Sequence, residues 1–253
     1  MCATENPPAP AEVLDVRHLR LTEVPEPHLP PAERAARDRV WDEAARANPR
    51  LFDGPVAACA GLERRSGDTL VLSWVRTTYR HYALRRVPGA TARLPSLFTG
   101  VLQPTDDGRL LLGRMASWTA APGRWQPPAG TAEPPEEGSV LDALALRRHA
   151  ARELAEEAGV DTPPGELTLW GATRGGNGSV GVLFLAPARP AAVLRERFAA
   201  VCEAEESLGR APELDRVAFV AGPAGLAGLE GPHVDFLGPV LHRWAADGPL
   251  RSG

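Results

Sequence analysis

Apolar residues recur along this chain with two periods, and the alternation between them predicts the elements. From Ala32 to Ala47 the residues Ala36, Val40, Ala44 and Ala47 make a helical stripe with Trp41 beside it. Pro31 suits the first helical position, and Asn48-Pro49 ends the helix because the residue before proline resists the αR region. Leu144, Ala151, Leu154 and Ala158 share a face of a second helix, which Gly159 can stop by taking φ > 0. Pro190 to Leu208 predicts a third helix with Val193, Leu194, Phe198 and Val201 buried, and Leu237 to Trp244 a closing one. Shorter runs read as strands: Val13 to Leu21, Val56 to Leu62, Thr69 to Val75, Leu97 to Gln103, Arg109 to Met115, Leu167 to Thr173, Val180 to Ala186 and Arg216 to Val220. Arg65-Ser66-Gly67-Asp68 joins the second and third of these, and Asp106-Asp107-Gly108 is a hairpin signal between the fourth and fifth. Arg174-Gly175-Gly176-Asn177-Gly178-Ser179 is Gly-rich but lacks the Lys-Ser/Thr ending and following helix of a phosphate loop, so it reads as a hairpin turn. Interleaved helices and strands make an α/β protein.

Composition narrows the setting. The 253 residues are 43% hydrophobic and 24% charged, ordinary values for a globular chain with an ample core. A formal net charge of −4 argues against a nucleic-acid partner. Every Lys+Arg residue is arginine. Cys2, Cys59 and Cys202 are too few and too scattered for a disulfide framework or a zinc site, which favours a reduced, cytoplasmic setting. No apolar run approaches the roughly 20 residues of a membrane span. Residues 1–10 are Pro-rich, lack signal-peptide order and are expected to be a disordered tail.

The chemistry concentrates in Arg152-Glu153-Leu154-Ala155-Glu156-Glu157-Ala158-Gly159-Val160. At about 100° per residue, Glu153, Glu156 and Glu157 fall on one face of a helix. Like charges so spaced oppose the helix by roughly 0.2–0.5 kcal/mol per pair and raise one another's pKa. A hard divalent cation would relieve both, and Mg²⁺ takes carboxylate and phosphate oxygens. The plain alternative is a solvated acidic face. His149 lies one turn before Glu153 on the same face, where it either approaches a metal or phosphate or simply caps the carboxylates. No Gly-x-Ser-x-Gly elbow is present, so a serine hydrolase is not supported.

Arg152-Glu153-Leu154-x-Glu156-Glu157-x-Gly159-Val160 resembles the second half of the Nudix box, Gly130-x5-Glu136 resembles its first half, and Gly130-x-x-Glu133-x-x-Glu136 has the spacing of the loop between. Trp125-Gln126-Pro127-Pro128-Ala129-Gly130 is similar to the Trp-x-x-Pro-Gly-Gly run ahead of that loop, with Ala129 where glycine is usual. Fifteen residues separate Glu136 from Arg152 where the family has seven, an insertion of eight. The inserted stretch, about Gly138 to Arg147, reads helical and is expected to extend the helix at its N-terminal end. Asn48 to Gly54 and Thr78 to Tyr82 carry a short likeness to the extension of UDP-glucose/UDP-galactose pyrophosphatase-type members. They read equally well as core aromatics of a small α/β layer.

The resemblance implies a Nudix α/β/α sandwich with a mixed sheet over residues 93–246, preceded by a small N-terminal α/β subdomain over 11–92 and followed by a tail at 247–253. It implies a hydrolase that cuts the diphosphate of a nucleoside diphosphate linked to a group X, with a nucleotide sugar preferred. ADP-ribose, a nucleoside triphosphate, a prenyl-type diphosphate and a non-catalytic ligand sensor stay open. The implied cofactor is Mg²⁺, with Mn²⁺ as the alternative. Its implied ligands are Glu153, Glu156, Glu157 and the Gly130 carbonyl, with Glu156 or Glu157 as base and Arg152 orienting the cluster. Arg114 is an implied phosphate contact or else a strand-end surface charge. Trp118, Trp125 and Trp170 each read as a stacking face for a base or as core, with Trp118 and Trp125 taken as substrate contacts. Glu133 and Glu136 have less defined roles. A further glutamate from a later loop would be Glu203, Glu205, Glu206 or Glu213. The partner is a small-molecule diphosphate, with no nucleic acid and no membrane, and a homodimer is left open.

Overall fold

The structure, a computed structural model, describes residues 10–65 and 68–247. The expected tails, apart from Pro10 and Asp247, and Ser66-Gly67 of the first turn lie outside the described residues. In chain order the strands and helices are β1 (Glu12–Leu14), β2 (His18–Glu23), α1 (Pro31–Ala47), β3 (Pro55–Arg65), β4 (Thr69–Thr78), β5 (Leu97–Leu102), β6 (Leu110–Met115), β7 (Trp125–Gln126), β8 (Ala129–Thr131), α2 (Ala143–Ala158), β9 (Thr168–Arg174), β10 (Val180–Leu185), α3 (Ala191–Ser207), β11 (Leu214–Val220) and α4 (Leu237–Asp247). A 3₁₀ segment, Tyr79–Arg86, follows β4.

Five strands form a mixed sheet in the order β1-β9-β10-β5-β8, with β10 parallel to β5 and its other contacts antiparallel. Alternation along β5 and β10 sends Leu97, Val101, Val182 and Phe184 to one face, where they meet Leu146, Ala150, Leu154 and Ala158 of α2. Leu102 and Leu183 go to the other face and meet Leu237, Val240, Leu241 and Trp244 of α4. This is the expected α/β/α sandwich. A second sheet, β11-β6-β7, stands beside it, and a third, β2-β4-β3, belongs to the N-terminal layer. No helix among the described residues is long and apolar enough to cross a membrane.

The expected strand Val13 to Leu21 is two strands. The Arg17 and His18 amides both donate to the Asp68 carbonyl (2.9 and 3.2 Å), which bends the chain between β1, paired with β9, and β2, parallel to β4. The Asp106-Asp107-Gly108 turn forms, but its flanking strands part: β5 pairs with β10 and β8, β6 with β11 and β7. Pro104 has no N–H to continue a ladder between them, and only the isolated bridge Pro104↔Leu110 remains. In α3 only Leu194 is fully buried; Val193, Phe198 and Val201 are half-buried because the helix lies at the rim of the sandwich.

β3 ties the N-terminal layer to the sandwich. The Ala57 amide donates to the Ala132 carbonyl (2.7 Å) and the Cys59 amide to the Pro95 carbonyl (2.9 Å). The 3₁₀ segment Tyr79–Arg86 is therefore held over the same cleft that the β8–α2 connection borders.

Candidate active site

Helix α2 is capped at both ends. Asp142 accepts from the Ala145 amide (2.7 Å), and Gly159 takes φ 69°. A side chain at 159 would also meet the Arg197 carbonyl at 2.5 Å, so glycine is required there twice over. The insertion is helical only from Ala143. Gly138 takes φ 82°, Ser139 donates to the Glu136 carbonyl in a turn, and buried Leu141 pins the strand of chain that leads to the cap.

Of the three carboxylates on the acidic turn, Glu157 is 4% exposed. One oxygen accepts from the Ala129 amide (2.8 Å), and the other, Oε1, is buried with no hydrogen-bond partner. Burial, then Glu153, pushes its pKa well above the usual range, against the pull of the Ala129 amide. Glu153 lies against Gly130 so closely that a Cβ there would come within 2.2 Å of its carboxyl carbon. Its Oε1 accepts from His149 Nε2 at 2.7 Å, which fixes the proton on that nitrogen while the carboxylate is ionised. His149 is thus a buried partner of Glu153. Glu156 is largely exposed, 4.0 Å from Arg152, with its pKa raised first by desolvation and then by Glu153. Arg152 also pairs with Glu133 at 2.8 Å.

Gly130, Glu133, Glu153 and Glu213 border a cleft of about 1080 Å³ between the sandwich and the N-terminal layer. Of the four later glutamates, Glu213, just before β11, is the one on this cleft; Glu205, on α3, pairs with Arg210 just beyond the helix. Glu213 is open to solvent yet surrounded by protein on most sides, as befits a cleft wall. That desolvation raises its pKa, and Glu153 and Glu156 raise it further.

The donor types fit a hard divalent cation: carboxylate oxygens, one of them buried and unpartnered, beside a bare glycine backbone. Their present directions do not close around one. No group of three or more His, Cys, Asp or Glu among the described residues is gathered tightly enough to hold a metal. Glu153, Glu156 and Glu157 share the helical turn, and each carboxylate meets a different neighbour. The like charges settle on separate partners: Glu153 on His149, Glu156 toward Arg152, and Glu157 on a backbone amide.

The expected substrate contacts divide. Trp118 lines the cleft, half-buried, with its indole N–H on the Pro212 carbonyl (3.1 Å) and Arg50 stacked at 4.9 Å. Trp125 does not. It is 2% exposed in the core under α4, because pairing of β7 with β6 turns it inward and its N–H reaches the Glu230 carbonyl (2.9 Å). Arg114 sits off the cleft in a two-bond pair with Asp215 (2.7 and 3.1 Å). Glu136 is exposed on its turn, away from the cleft. Sequence reasoning missed Phe52, Tyr79, Tyr82, Arg85 and Arg124 as cleft residues. For Phe52, Tyr79 and Tyr82 the signal lay in the two N-terminal segments, which read as well as core as they did as site; Arg85 and Arg124 lie outside them.

Residues 97–220 match the family model described as the NUDIX domain. The chain belongs to the Nudix superfamily. It is a hydrolase by that membership, and the family's reaction is hydrolysis of a nucleoside diphosphate linked to another group X. Among solved structures, this Nudix chain is similar to a MutT NUDIX hydrolase from Burkholderia pseudomallei (21% identity, 50% of this chain and 83% of that one, TM-score 0.32). It is also similar to the NUDIX domain of Shewanella oneidensis NrtR complexed with ADP ribose (19%, 68% and 98%, TM-score 0.38). A NUDIX hydrolase from Alicyclobacillus acidocaldarius overlaps likewise (17%, 60% and 91%, TM-score 0.39). Overlaps this loose carry nothing about substrate. No curated protein matches this Nudix sequence.

Proposed function

We propose that this Nudix hydrolase cleaves a nucleotide sugar, with Mg²⁺, to a nucleoside monophosphate and a sugar phosphate. The observation that carries the reading is the buried, unpartnered oxygen of Glu157 behind the cleft-facing carboxylate of Glu153. A carboxylate kept out of water without a counter-charge is costly unless a cation or proton joins it. Bound Mg²⁺ would offset the charge of the diphosphate and acidify a water molecule. Glu153, Glu156, Glu157 and the Gly130 carbonyl are the groups we assign to holding it.

The chain's own residues supply the rest. His149 orients Glu153 through its 2.7 Å bond, and Arg152 steadies Glu133 at the cleft rim. We assign proton removal from the attacking water to Glu213. A base works best with a pKa near the working pH, and desolvation moves Glu213 in that direction. Water oxygen bonds to phosphorus, the bond from phosphorus to the bridging oxygen breaks, and the water proton passes to the Glu213 carboxylate. Phe52, 77% exposed at the cleft, and Trp118 offer apolar faces on which a base could stack. A cleft this size suits a ligand of two bulky halves.

The test is a panel of UDP-sugars, ADP-ribose and nucleoside triphosphates incubated with the full chain and Mg²⁺, with products identified. Release of UMP and sugar phosphate is expected. Hydrolysis confined to triphosphates would overturn the sugar preference, and turnover of nothing would favour a ligand sensor.

A further inference from the structure

The wall of the cleft opposite the carboxylates is made by the N-terminal layer, and it carries a cation in an unusual state. Arg85 stacks on the Tyr82 ring, with its guanidinium carbon 4.0 Å from the ring centroid. Its Nη2 donates to the Leu94 carbonyl at 3.1 Å. No carboxylate among the described residues pairs with it, although acidic groups face it across the cleft. A guanidinium has five N–H donors in a planar fork, so most of its capacity stays free. The side chain is open to solvent, yet protein encloses it on most sides and desolvation lowers its pKa, with Tyr82 and Tyr79 opposing.

The segment that carries Arg85 is held in place before any ligand arrives. The Tyr79 amide donates to the Gly54 carbonyl (2.9 Å). Asp53 accepts from the Arg80 amide (2.8 Å) and from Arg80 Nε (3.0 Å). The His81 ring bonds the Ala92 carbonyl at 2.8 Å. Tyr79 packs edge-on between Trp41 (6.3 Å) and Tyr82 (5.5 Å). Burial raises the Tyr79 hydroxyl pKa first, with Arg85 lowering it and Glu213 raising it further.

We propose that Arg85 is a substrate-binding residue that grips the phosphate lying farther from Glu153 and Glu157, so that the N-terminal layer forms the second half of the binding site. The proposal rests on the diphosphate-hydrolase reading above. A planar fork matches phosphate oxygens in pairs, which a compact ammonium cannot reproduce. An enclosed cation without a counter-ion gains one when the phosphate binds, and the aromatic stack keeps its plane fixed so that little freedom is lost.

The experiment measures binding of inorganic diphosphate to the full chain, in EDTA and in Mg²⁺, for the wild type, Arg85→Ala, Arg85→Gln, Arg85→Lys and Glu157→Gln. In EDTA the wild type and Glu157→Gln are expected to bind alike, and the Ala and Gln variants about tenfold or more weaker. Arg85→Lys should recover only part of the loss. With a turned-over substrate, KM should rise in the Arg85 variants by more than kcat falls. Melting curves identify any variant that fails to fold, and Arg85→Gln then stands in for Arg85→Ala. Wild-type affinity in Arg85→Gln, or no diphosphate binding to the wild type in EDTA, would overturn the proposal. So would a fall in kcat at unchanged KM and unchanged diphosphate affinity. The two readings fail separately. Arg85-dependent binding without turnover of any substrate would sink the hydrolase reading alone, and turnover unchanged in Arg85→Gln would sink this one alone.

Discussion

On the sandwich side of the cleft stand Glu133, Glu153 and Glu213; on the N-terminal side stand Phe52, Tyr79, Tyr82 and Arg85. The first wall gathers carboxylates from three places: Glu133 just after β8, Glu153 on α2 and Glu213 just before β11. Glu153 hydrogen-bonds to His149, Glu133 pairs with Arg152, and desolvation raises the pKa of Glu213. The second wall holds the positive charge of Arg85 over the Tyr82 ring and pairs it with no carboxylate among the described residues. The difference shows that the two walls do not neutralise each other. A ligand with its own negative charge is welcome on the second wall outright and on the first only with a cation.

The strongest way to break the comparison is to neutralise the acidic wall. Glu153→Gln or Glu157→Gln should lower turnover by about 10³-fold while leaving the fold intact, as read by product assay and melting curves. Retained turnover would mean that the acidic wall is not where the chemistry lies. Next in size is the response to metal. At a hundredfold excess over Kd, Mg²⁺ should add about 2.7 kcal/mol of stability. Glu157→Gln should lose most of that gain, measured by thermal melting against added Mg²⁺.

A pH series in EDTA sharpens the point. Glu157 has a folded pKa raised above its ordinary 4.5. Its contribution is therefore fully present below that ordinary value and is lost as pH rises through the raised one. Metal-free protein should melt lower as pH climbs across this window, and Glu157→Gln should flatten the slope and melt higher at neutral pH. A slope that is unchanged in the variant would contradict the burial argument. The smallest effect is expected at the rim: Glu133→Gln should change stability by no more than about 1 kcal/mol, since its pair with Arg152 is exposed.

Much of this was legible in the chain, and the reasons differ by residue. Period and punctuation identified the helices, and Gly159 marked the end of α2 because glycine takes the left-handed conformation found there; that a Cβ would also meet the Arg197 carbonyl was not readable from sequence. Spacing put Glu153 and Glu157 on one helical surface, but it carried no information about depth, which separates buried Glu157 from exposed Glu156. Trp118 and Trp125 were indistinguishable as sequence; strand pairing turned one inward. Arg114 kept the expected place on β6 but met Asp215, a partner about a hundred residues away that no local pattern announces. Arg85 was invisible for a related reason: what marks it is that no carboxylate among the described residues pairs with it, which only three-dimensional surroundings reveal. The hairpin signal at Asp106-Asp107-Gly108 named the turn correctly, while the destination of its two strands depended on the sheets waiting for them.

Strand β1 closes the β9 border of the five-stranded sheet, and β3 meets the opposite end through Ala132. The opening part of the chain thus acts as a pair of bookends for the sandwich. A fragment begun at Leu94 would bare the β9 margin and leave the Ala132 carbonyl without its amide donor, inviting sideways association with other chains. Trimming this protein to its motif-bearing half would therefore change its colloidal behaviour along with its size.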